Sequence, residues 1–195
     1  MSKLSTAVFL LVLVSSATAC DETFDLDSTV YPVPDRWCGQ QIDSSLLAVP
    51  DSLVRLPEDL CWAATHIYVT RATRAAFVAM AAAAERDSVF LLVKSGYRSS
   101  RYQRELIRRR LREGQDITTV LKYVAPPGYS EHETGRALDL VWPDGPFEKS
   151  PAYRWLKAHA DSFGFRESMP EPSPADAPAG LPVAWEPWHW YYFRQ

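Results

Sequence analysis

An excess of positive charge is absent from this sequence of 195 residues, and cysteine and histidine are scarce. Nucleic-acid-binding proteins usually carry a basic excess that neutralises phosphates, and the formal net charge of −3 therefore argues against general nucleic-acid binding. The N-terminal apolar run, AVFLLVLV, falls far short of the roughly 20 apolar residues that a membrane-spanning helix needs. With 47% hydrophobic residues, the chain can build one core of ordinary size, and it is too short for two large domains.

The start of the chain has the pattern of an export signal. Lys3 supplies a positive charge, AVFLLVLV a short apolar core and SSATAC small residues before a break. Residues 17–20, ATAC, also resemble the lipobox of bacterial lipoproteins. We therefore expect residues 1–19 to be a signal peptide that exports the protein to the cell envelope or periplasm, where a lipid on Cys20 would anchor it to the membrane. Secretion with Cys20 free or paired is the alternative, and a buried first strand is a weaker one.

The number of cysteines suggests one disulfide bond. If a lipid occupies Cys20, then Cys38 and Cys61 are left as an even pair in an oxidising compartment. A bridge between them would contribute about 3 kcal/mol through the entropy of the unfolded chain. We expect it to fix the Asp-, Ser- and Pro-rich arm of residues 20–45 to a single domain of residues 46–195.

Hydrophobic periodicity predicts helices and strands in mixed order. Helical spacing of Phe77, Met80 and Ala84 in an Ala-rich segment predicts a packed helix. Helices are predicted at about 70–86, 99–114 and 151–163, and strands at 89–96, 136–142 and 188–193. Without a regular βαβ repeat, this order favours an α+β fold with a small, mostly antiparallel sheet flanked by helices. The proline-rich segment 167–185 is predicted to be a functional loop, such as a lid or rim over the site.

The second predicted helix carries a basic stripe. Arg101, Arg104, Arg108 and Arg112 fall on the half of the helix opposite Ile107. A solvated face is the simpler interpretation. A contact with anionic envelope polymers or lipid headgroups is the alternative.

Two of the four histidines lie in the most strongly patterned stretches of the chain. The stretch GYSEHETGRALDLVW places Ser130, His132 and Asp139 at short, fixed offsets, and EPWHW contains His189. Metal ligands must be nitrogen, sulfur or oxygen donors, and a catalytic zinc takes three while leaving one position open. His132, Asp139 and His189 would form such a set, although a histidine taken alone is more often structural.

Two further stretches supply polar groups that could act beside a metal. Glu186 precedes His189 by three residues across Pro187, and a turn there should bring both side chains to one side. Arg98 follows a predicted strand in SGYRSSRYQ, where a guanidinium can meet a carboxylate or a developing oxyanion. Taken separately, these stretches would be an ordinary turn and a surface salt bridge.

The ordered stretches SGYRSSRYQ, GYSEHETGRALDL and EPWHW together resemble the VanY-type D-alanyl-D-alanine carboxypeptidases, zinc peptidases of bacterial cell-wall metabolism. The likeness extends from about residue 49 to the C-terminus. It implies an antiparallel α+β zinc peptidase domain that acts on peptidoglycan stem peptides through a metal-activated water. Residue by residue, it implies zinc ligands His132, Asp139 and His189, the catalytic base Glu186, an oxyanion- or substrate-binding Arg98, and the substrate contacts Gln103 and Ser130.

Other functions stay open at this point. An L,D-carboxypeptidase that trims tetrapeptide stems could carry the same zinc site, because the choice depends on the shape of the pocket. A catalytically silent zinc module that binds wall peptides is a candidate from another class. A serine hydrolase is disfavoured, because no G-x-S-x-G elbow surrounds Ser130. The segment of residues 21–45 and the proline-rich approach to Trp185 depart from the family's usual pattern.

Overall fold

The computed structural model describes residues 20–170 and 185–194. Its helices are α1 (Arg71–Arg86), α2 (Ser100–Arg112), α3 (Ile117–Val120) and α4 (Pro151–His159). Its strands are β1 (Thr23–Leu26), β2 (Thr29–Pro32), β3 (Val54–Arg55), β4 (Tyr68–Val69), β5 (Leu92–Ser95), β6 (Ala137–Val141), β7 (Phe165–Glu167) and β8 (His189–Tyr192). The predicted signal peptide and most of the predicted proline-rich loop lie outside the described residues.

A four-stranded antiparallel sheet organises the domain, in the order β5-β6-β8-β7. Strand β8, the last in the chain, inserts between β6 and β7, so the C-terminal segment pairs with a strand about fifty residues earlier. Two-stranded antiparallel sheets, β1-β2 and β3-β4, complete the strand pairing of the described residues. The predicted α+β class with a small antiparallel sheet is confirmed. Within residues 20–170 and 185–194, no helix has the length and apolar character to cross a bilayer.

Helix α1 packs on the sheet through the face that its sequence predicts. Thr70 caps its first turn by accepting a hydrogen bond from the Thr73 backbone N–H at 3.2 Å. Phe77, Met80 and Ala84 are fully buried, in a core that includes residues of the sheet and of α4. Burial of a side chain such as Phe77 or Met80 contributes about 1.5–3 kcal/mol, so this face holds the helix in place.

The N-terminal arm forms a second, smaller core against α2 and α3. Its apolar side chains pack with residues of those helices and of the loop after α3: Phe24, Leu26, Val33, Trp37, Ile107, Val120, Leu121, Ala125 and Tyr129. The Trp37 indole N–H donates to the Leu121 carbonyl at 2.9 Å. Arg108, predicted to lie on a solvated basic stripe, instead pairs with Asp27 of the β1-β2 hairpin, with nitrogen–oxygen distances of 2.5–3.0 Å. Part of that stripe therefore attaches the arm to α2.

The predicted disulfide between Cys38 and Cys61 is wrong. Cys20 is bonded to Cys38, and Cys61 is a free, buried thiol. The physical reason is location: Cys61 lies beside Val93 in the main core, whereas Cys38 follows Trp37 in the arm's separate core. The bond closes a loop within the arm and does not fix the arm to the main core. It also uses the sulfur that a lipid on Cys20 would need.

We expect loss of the Cys20–Cys38 bond to lower the free energy of unfolding by about 3 kcal/mol, because the bond closes a loop of 18 residues in the unfolded chain. Urea denaturation of lipid-free Cys38→Ser protein, compared with the oxidised parent, measures this difference. Cys61→Ala is the matched control. A change from oxidised to reduced buffer should lower its free energy of unfolding by as much as it lowers that of the parent. Equal stability of Cys38→Ser and the oxidised parent would contradict the prediction.

Candidate metal centre

Two strands of the sheet bring the two central candidate ligands together. In the antiparallel pair of β6 and β8, Asp139 lies directly opposite His189. Residues opposite each other in such a pair have Cβ atoms about 5 Å apart, so a register shift of one residue would separate these side chains. His132 belongs to a short 3-10 turn, Glu131–Thr134, immediately before β6. The three candidate ligands therefore form one cluster beside β6, around Asp139 in the middle of that strand.

The donor atoms of His132, Asp139 and His189 all lie within 4.8 Å of one another. Asp139 Oδ1 is 3.2 Å from Nε2 of His132 and 3.0 Å from Nδ1 of His189. Both imidazoles are buried, and their rings meet edge to face with centroids 4.9 Å apart. Two nitrogens and a carboxylate oxygen in this arrangement fit the ligand chemistry of zinc.

The ring nitrogens that face away from the cluster are also engaged. His132 Nδ1 lies 2.7 Å from the Gly96 carbonyl, which can only accept a hydrogen bond. The proton of a neutral His132 therefore belongs on Nδ1, and its Nε2 lone pair faces the cluster. His189 Nε2 lies 2.8 Å from Oε2 of Glu131. Each ring is thus oriented by an acceptor behind it.

The charges in the cluster are strongly coupled. Burial opposes ionisation of Asp139, but the neighbouring His132, His189 and Arg98 side chains outweigh burial and hold the pKa of its carboxyl well below the usual range. Burial also opposes a charge on His189, yet its hydrogen bonds to Asp139 and Glu131 outweigh burial and raise its pKa to about 10. The carboxylates of Asp139 and Glu131 therefore stabilise positive charge at His189.

Arg98 contacts the same carboxylate from the other side. Its guanidinium bonds to Asp139 Oδ2, and its Nε–H donates to the Ser95 hydroxyl at 3.0 Å. The Arg98 backbone N–H donates to the His132 carbonyl at 3.2 Å, which fixes the loop after β5 against the 3-10 turn. The guanidinium consequently lies at the edge of the metal group, the candidate ligand set formed by His132, Asp139 and His189.

Glu186 lies at the start of the turn that leads into β8. Its carbonyl accepts the His189 backbone N–H at 2.9 Å, and its own N–H donates to the Met169 carbonyl at 3.2 Å. Burial raises the pKa of the Glu186 carboxyl, while the positive charges of His189 and Arg98 act in the opposite direction. The carboxyl is therefore close enough to the cluster to sense its charges, and the predicted turn across Pro187 is present.

Gly135 ends the 3-10 turn in a conformation that suits glycine. Its φ of +66° is left-handed, and a Cβ at this position would lie 2.9 Å from a side-chain carbon of Leu53. Its carbonyl accepts the Thr70 backbone N–H at 2.9 Å. The small residue allows the turn that carries His132 to pack closely against the segment before α1.

The two predicted substrate contacts, Ser130 and Gln103, are both buried. Ser130 is 5% exposed and precedes the turn that contains His132. Gln103 is 1% exposed, and its Nε2 donates to the Ala125 carbonyl at 2.9 Å. The buried Oε1 of Gln103 has no hydrogen-bond partner among residues 20–170 and 185–194. For both residues, direct contact with a substrate stays a prediction.

A cleft of about 580 Å³ opens beside Asp139 and Arg98. Aromatic and basic side chains dominate its wall, which includes Tyr102, Trp142, Phe147, Trp188, Lys94, Arg109 and Arg110. Two of the aromatic side chains remain accessible, Tyr102 at 51% and Trp188 at 39%. The cleft is large enough for several residues of an extended peptide and reaches the metal group at one end.

The sequence pattern did not identify two residues of this region. Glu131 lies between Ser130 and His132 in the patterned stretch, and a carboxylate next to a candidate ligand was a usable signal. Arg36 comes from the arm, and its positive charge acts on Glu186. Its guanidinium lies 4.5 Å from the Trp37 ring centroid, and its Nη1 has no hydrogen-bond partner in the described part of the chain. Nothing in the sequence around Arg36 indicated this position.

Comparison with known proteins finds similarity to bacterial D-alanyl-D-alanine carboxypeptidases. It is 32% identical over 118 residues to a D-alanyl-D-alanine carboxypeptidase of Enterococcus faecalis, an alignment that covers 56% of this chain and 42% of the relative. A D-alanyl-D-alanine carboxypeptidase of Enterococcus faecium is 29% identical over 129 residues, covering 66% of this chain and 38% of that protein. The chain thus spans about two fifths of the length of these relatives.

Solved structures and a family model agree with those alignments. An alanine mutant of the vancomycin resistance D,D-pentapeptidase VanY, in complex with Zn(II), superposes with a TM-score of 0.54 at 26% identity, covering 72% of this chain and 77% of that one. An L,D-carboxypeptidase DacB of Streptococcus superposes with a TM-score of 0.51 at 29% identity, covering 64% and 66%. The model of the VanY D-alanyl-D-alanine carboxypeptidase family matches residues 66–195, which is more than half of the chain. The protein therefore belongs to the VanY D-alanyl-D-alanine carboxypeptidase family.

Proposed function

We propose that this protein is a zinc-dependent carboxypeptidase that removes the terminal D-alanine from peptidoglycan stem peptides. The observation that carries the proposal is the convergence of the His132, Asp139 and His189 donor atoms within 4.8 Å of one another in a member of this family. The enterococcal relatives are D-alanyl-D-alanine carboxypeptidases, and the VanY structure contains Zn(II). The proposal extends these properties to the present chain.

His132, Asp139 and His189 are the proposed zinc ligands. Three protein ligands are typical of catalytic zinc sites, which keep a further position open for water or substrate. Bound there, zinc supplies a Lewis acid for the scissile carbonyl and lowers the pKa of a coordinated water toward about 7. The burial of both imidazoles and the acceptors behind them support this assignment, because they hold the donor atoms in place.

Glu186 is the proposed general base. Its carboxylate accepts a proton from the attacking water and returns that proton to the departing amine of the terminal residue. The water oxygen bonds to the peptide carbon, so no covalent bond forms between the protein and the substrate. The turn that joins Glu186 to His189 supports this role, because it holds the carboxyl near a proposed ligand.

Arg98 is proposed to meet the negative charge that develops on the carbonyl oxygen. Its contact with Asp139 keeps the guanidinium at the edge of the metal group, so little reorganisation is needed during the reaction. Ser130 and Gln103 are the proposed substrate contacts. The adjacent cleft, with its accessible Tyr102 and Trp188, offers apolar surface to the remainder of the peptide.

Removal of the last residue of a tetrapeptide stem is the second candidate activity. The observation in its favour is the similarity to the L,D-carboxypeptidase DacB at 29% identity. The candidates share the metal group and differ in the chirality of the residue before the cleaved bond. A catalytically silent wall-binding module is a third candidate, and Glu186 and Arg98 beside the donor group argue against it.

Defined stem peptides test the proposal. We expect purified zinc-loaded protein to release one alanine from a pentapeptide that ends in D-alanyl-D-alanine, measured by mass spectrometry. A chelator should abolish this release, and added zinc should restore it, because the ligands must hold the ion before water can be activated. A tetrapeptide that ends in a single D-alanine is the parallel substrate.

Each alternative result has a defined meaning for the proposal. Preferential cleavage of the tetrapeptide would replace the D,D activity with the L,D activity. Zinc binding without cleavage of either peptide would indicate the silent module. Cleavage that survives the chelator would exclude a metal-dependent reaction.

Export of the protein is also proposed, with residues 1–19 as the signal peptide, residues 20–45 as an arm and residues 46–195 as the catalytic domain. A disulfide bond between Cys20 and Cys38 supports export to an oxidising compartment. Attachment to the membrane by a lipid on Cys20 stays a prediction and requires that sulfur to be free of Cys38. The intact mass of the mature protein distinguishes the two forms.

A further inference from the structure

We propose that Glu131 is a positioning residue for the zinc ligand His189 and that the Ser168 hydroxyl holds Glu131 in this role. This inference rests on the proposed zinc site. Glu131 Oε2 lies 2.8 Å from His189 Nε2, and the Ser168 hydroxyl donates to the same oxygen at 2.5 Å. The His189 side chain is 3% exposed, so its ring has little room to turn away from this partner.

The hydrogen bond selects the tautomer of His189. A carboxylate can only accept, so the proton of a neutral imidazole belongs on Nε2 and the Nδ1 lone pair faces Asp139. His132 uses the opposite arrangement, with Nδ1 bonded to a carbonyl and Nε2 facing the cluster. A metal that uses both rings therefore needs opposite tautomers from them, and a different acceptor fixes each one.

The acceptor behind His189 is also the stronger of the two. A carboxylate behind a metal-bound imidazole raises the basicity of the ligand as well as orienting it. The acceptor behind His132 is the uncharged carbonyl of Gly96. Glu131 therefore acts on zinc binding through its charge as well as through the orientation of the His189 ring. Loss of that charge should weaken the bond between zinc and His189 even where the ring keeps its orientation.

The position of Glu131 links distant parts of the chain. It is adjacent to the ligand His132 in the same 3-10 turn, yet its side chain reaches a ligand 58 residues later. The Thr134 hydroxyl donates to the Glu131 carbonyl at 2.6 Å and stabilises that turn. Ser168 follows β7, at the edge of the sheet next to β8. One carboxylate thereby joins the turn, the edge strand and the last strand at the metal site.

Direct coordination by Glu131 fits the geometry poorly. Its oxygen lies against Nε2 of His189, whereas Nδ1 of the same ring faces Asp139. The two nitrogens of an imidazole point away from each other, so a metal on Nδ1 lies on the far side of the ring from Glu131. The carboxylate acts on the metal through His189.

Zinc affinity of the variants tests the role without use of a peptide substrate. We expect Glu131→Ala to weaken zinc binding by roughly 10- to 100-fold, measured by competition with a chromophoric chelator. Glu131→Gln keeps an acceptor and loses the charge, so its affinity should lie between those of Glu131→Ala and the parent. Ser168→Ala should produce a smaller loss in the same direction.

Glu133→Gln is the matched control, because Glu133 accepts the Gly128 backbone N–H at 2.7 Å and does not touch His189. Its zinc affinity should equal that of the parent. Nitrogen-15 NMR of the zinc-loaded protein provides a second readout: the His189 signals should report a proton on Nε2 in the parent and in Glu131→Gln.

A merely structural role would predict a different result. Glu131→Ala and Glu131→Gln would then lower the melting temperature of the metal-free protein and leave the zinc affinity of the folded fraction unchanged. That result, or a His189 protonated on Nδ1 in the zinc-loaded parent, would overturn the inference. A failure of the proposed function would look different from a failure of this inference, because the parent protein itself would then bind no zinc or cleave no peptide.

Discussion

Glu186→Gln is expected to retain zinc and to lower kcat by about 10²- to 10⁴-fold, the range typical of a lost general acid or base. The amide has nearly the shape of the carboxylate but cannot accept the proton of the attacking water. Zinc retention is expected because Glu186 lies outside the group of donor atoms that converge on Asp139. Zinc content by atomic absorption, with single-turnover kinetics on the pentapeptide, separates binding of the metal from the chemical step.

Glu85→Gln is a suitable control for this experiment. Glu85 is an exposed carboxylate on α1, remote from the metal group, so its loss should leave both zinc content and kcat unchanged. A Glu186→Gln protein with a near-parental rate and bound zinc would remove Glu186 from the mechanism. Loss of zinc from Glu186→Gln would assign the side chain to metal binding instead.

Local features of the sequence predicted most of the regular structure. The buried stripe of α1 and the apolar strands β5 and β6 were predicted because their patterns repeat with the periods of a helix and a strand. The capping role of Ser99 was also predictable, and its hydroxyl accepts the Tyr102 backbone N–H at 3.1 Å. These features depend on residues a few positions apart, which the sequence displays directly.

Disulfide pairing was not predictable in the same way. An even count of cysteines permits a bond, but only the folded chain determines which sulfurs meet. The arm folds over α2 and α3 because Trp37 and its apolar neighbours find a separate core there. That packing takes Cys38 toward Cys20 and away from Cys61. The relevant contacts join segments about eighty residues apart, such as Trp37 to Leu121, and no local pattern indicates them.

The residues of the candidate site likewise fall into those that the sequence indicated and those that only the folded chain reveals. His132, Asp139 and His189 were recognisable because the ordered stretches that contain them resemble those of a zinc peptidase family. Their convergence depends on the antiparallel pairing of β6 with β8, which places Asp139 opposite His189. Glu131 and Arg36 were missed because each acts through a contact that exists only after the distant segments have folded together.

Arg98→Ala is expected to lower kcat by about 10²- to 10³-fold, the cost typical of removing one donor to a developing oxyanion. In the resting structure the guanidinium also bonds to Asp139 Oδ2, so the substitution could act through the ligand rather than through the substrate. Measurements at saturating zinc separate these effects: a role confined to Asp139 would allow added zinc to restore kcat, whereas an oxyanion role would leave kcat low with the site full. A large rise in KM with kcat unchanged would assign Arg98 to ground-state binding of the substrate.

Arg112→Gln, which removes a cation paired with Glu105 on the exposed face of α2, is the control and should alter neither constant. We expect low kcat at full zinc occupancy, because Arg98 lines the cleft beside Asp139, where the peptide carbonyl is proposed to bind.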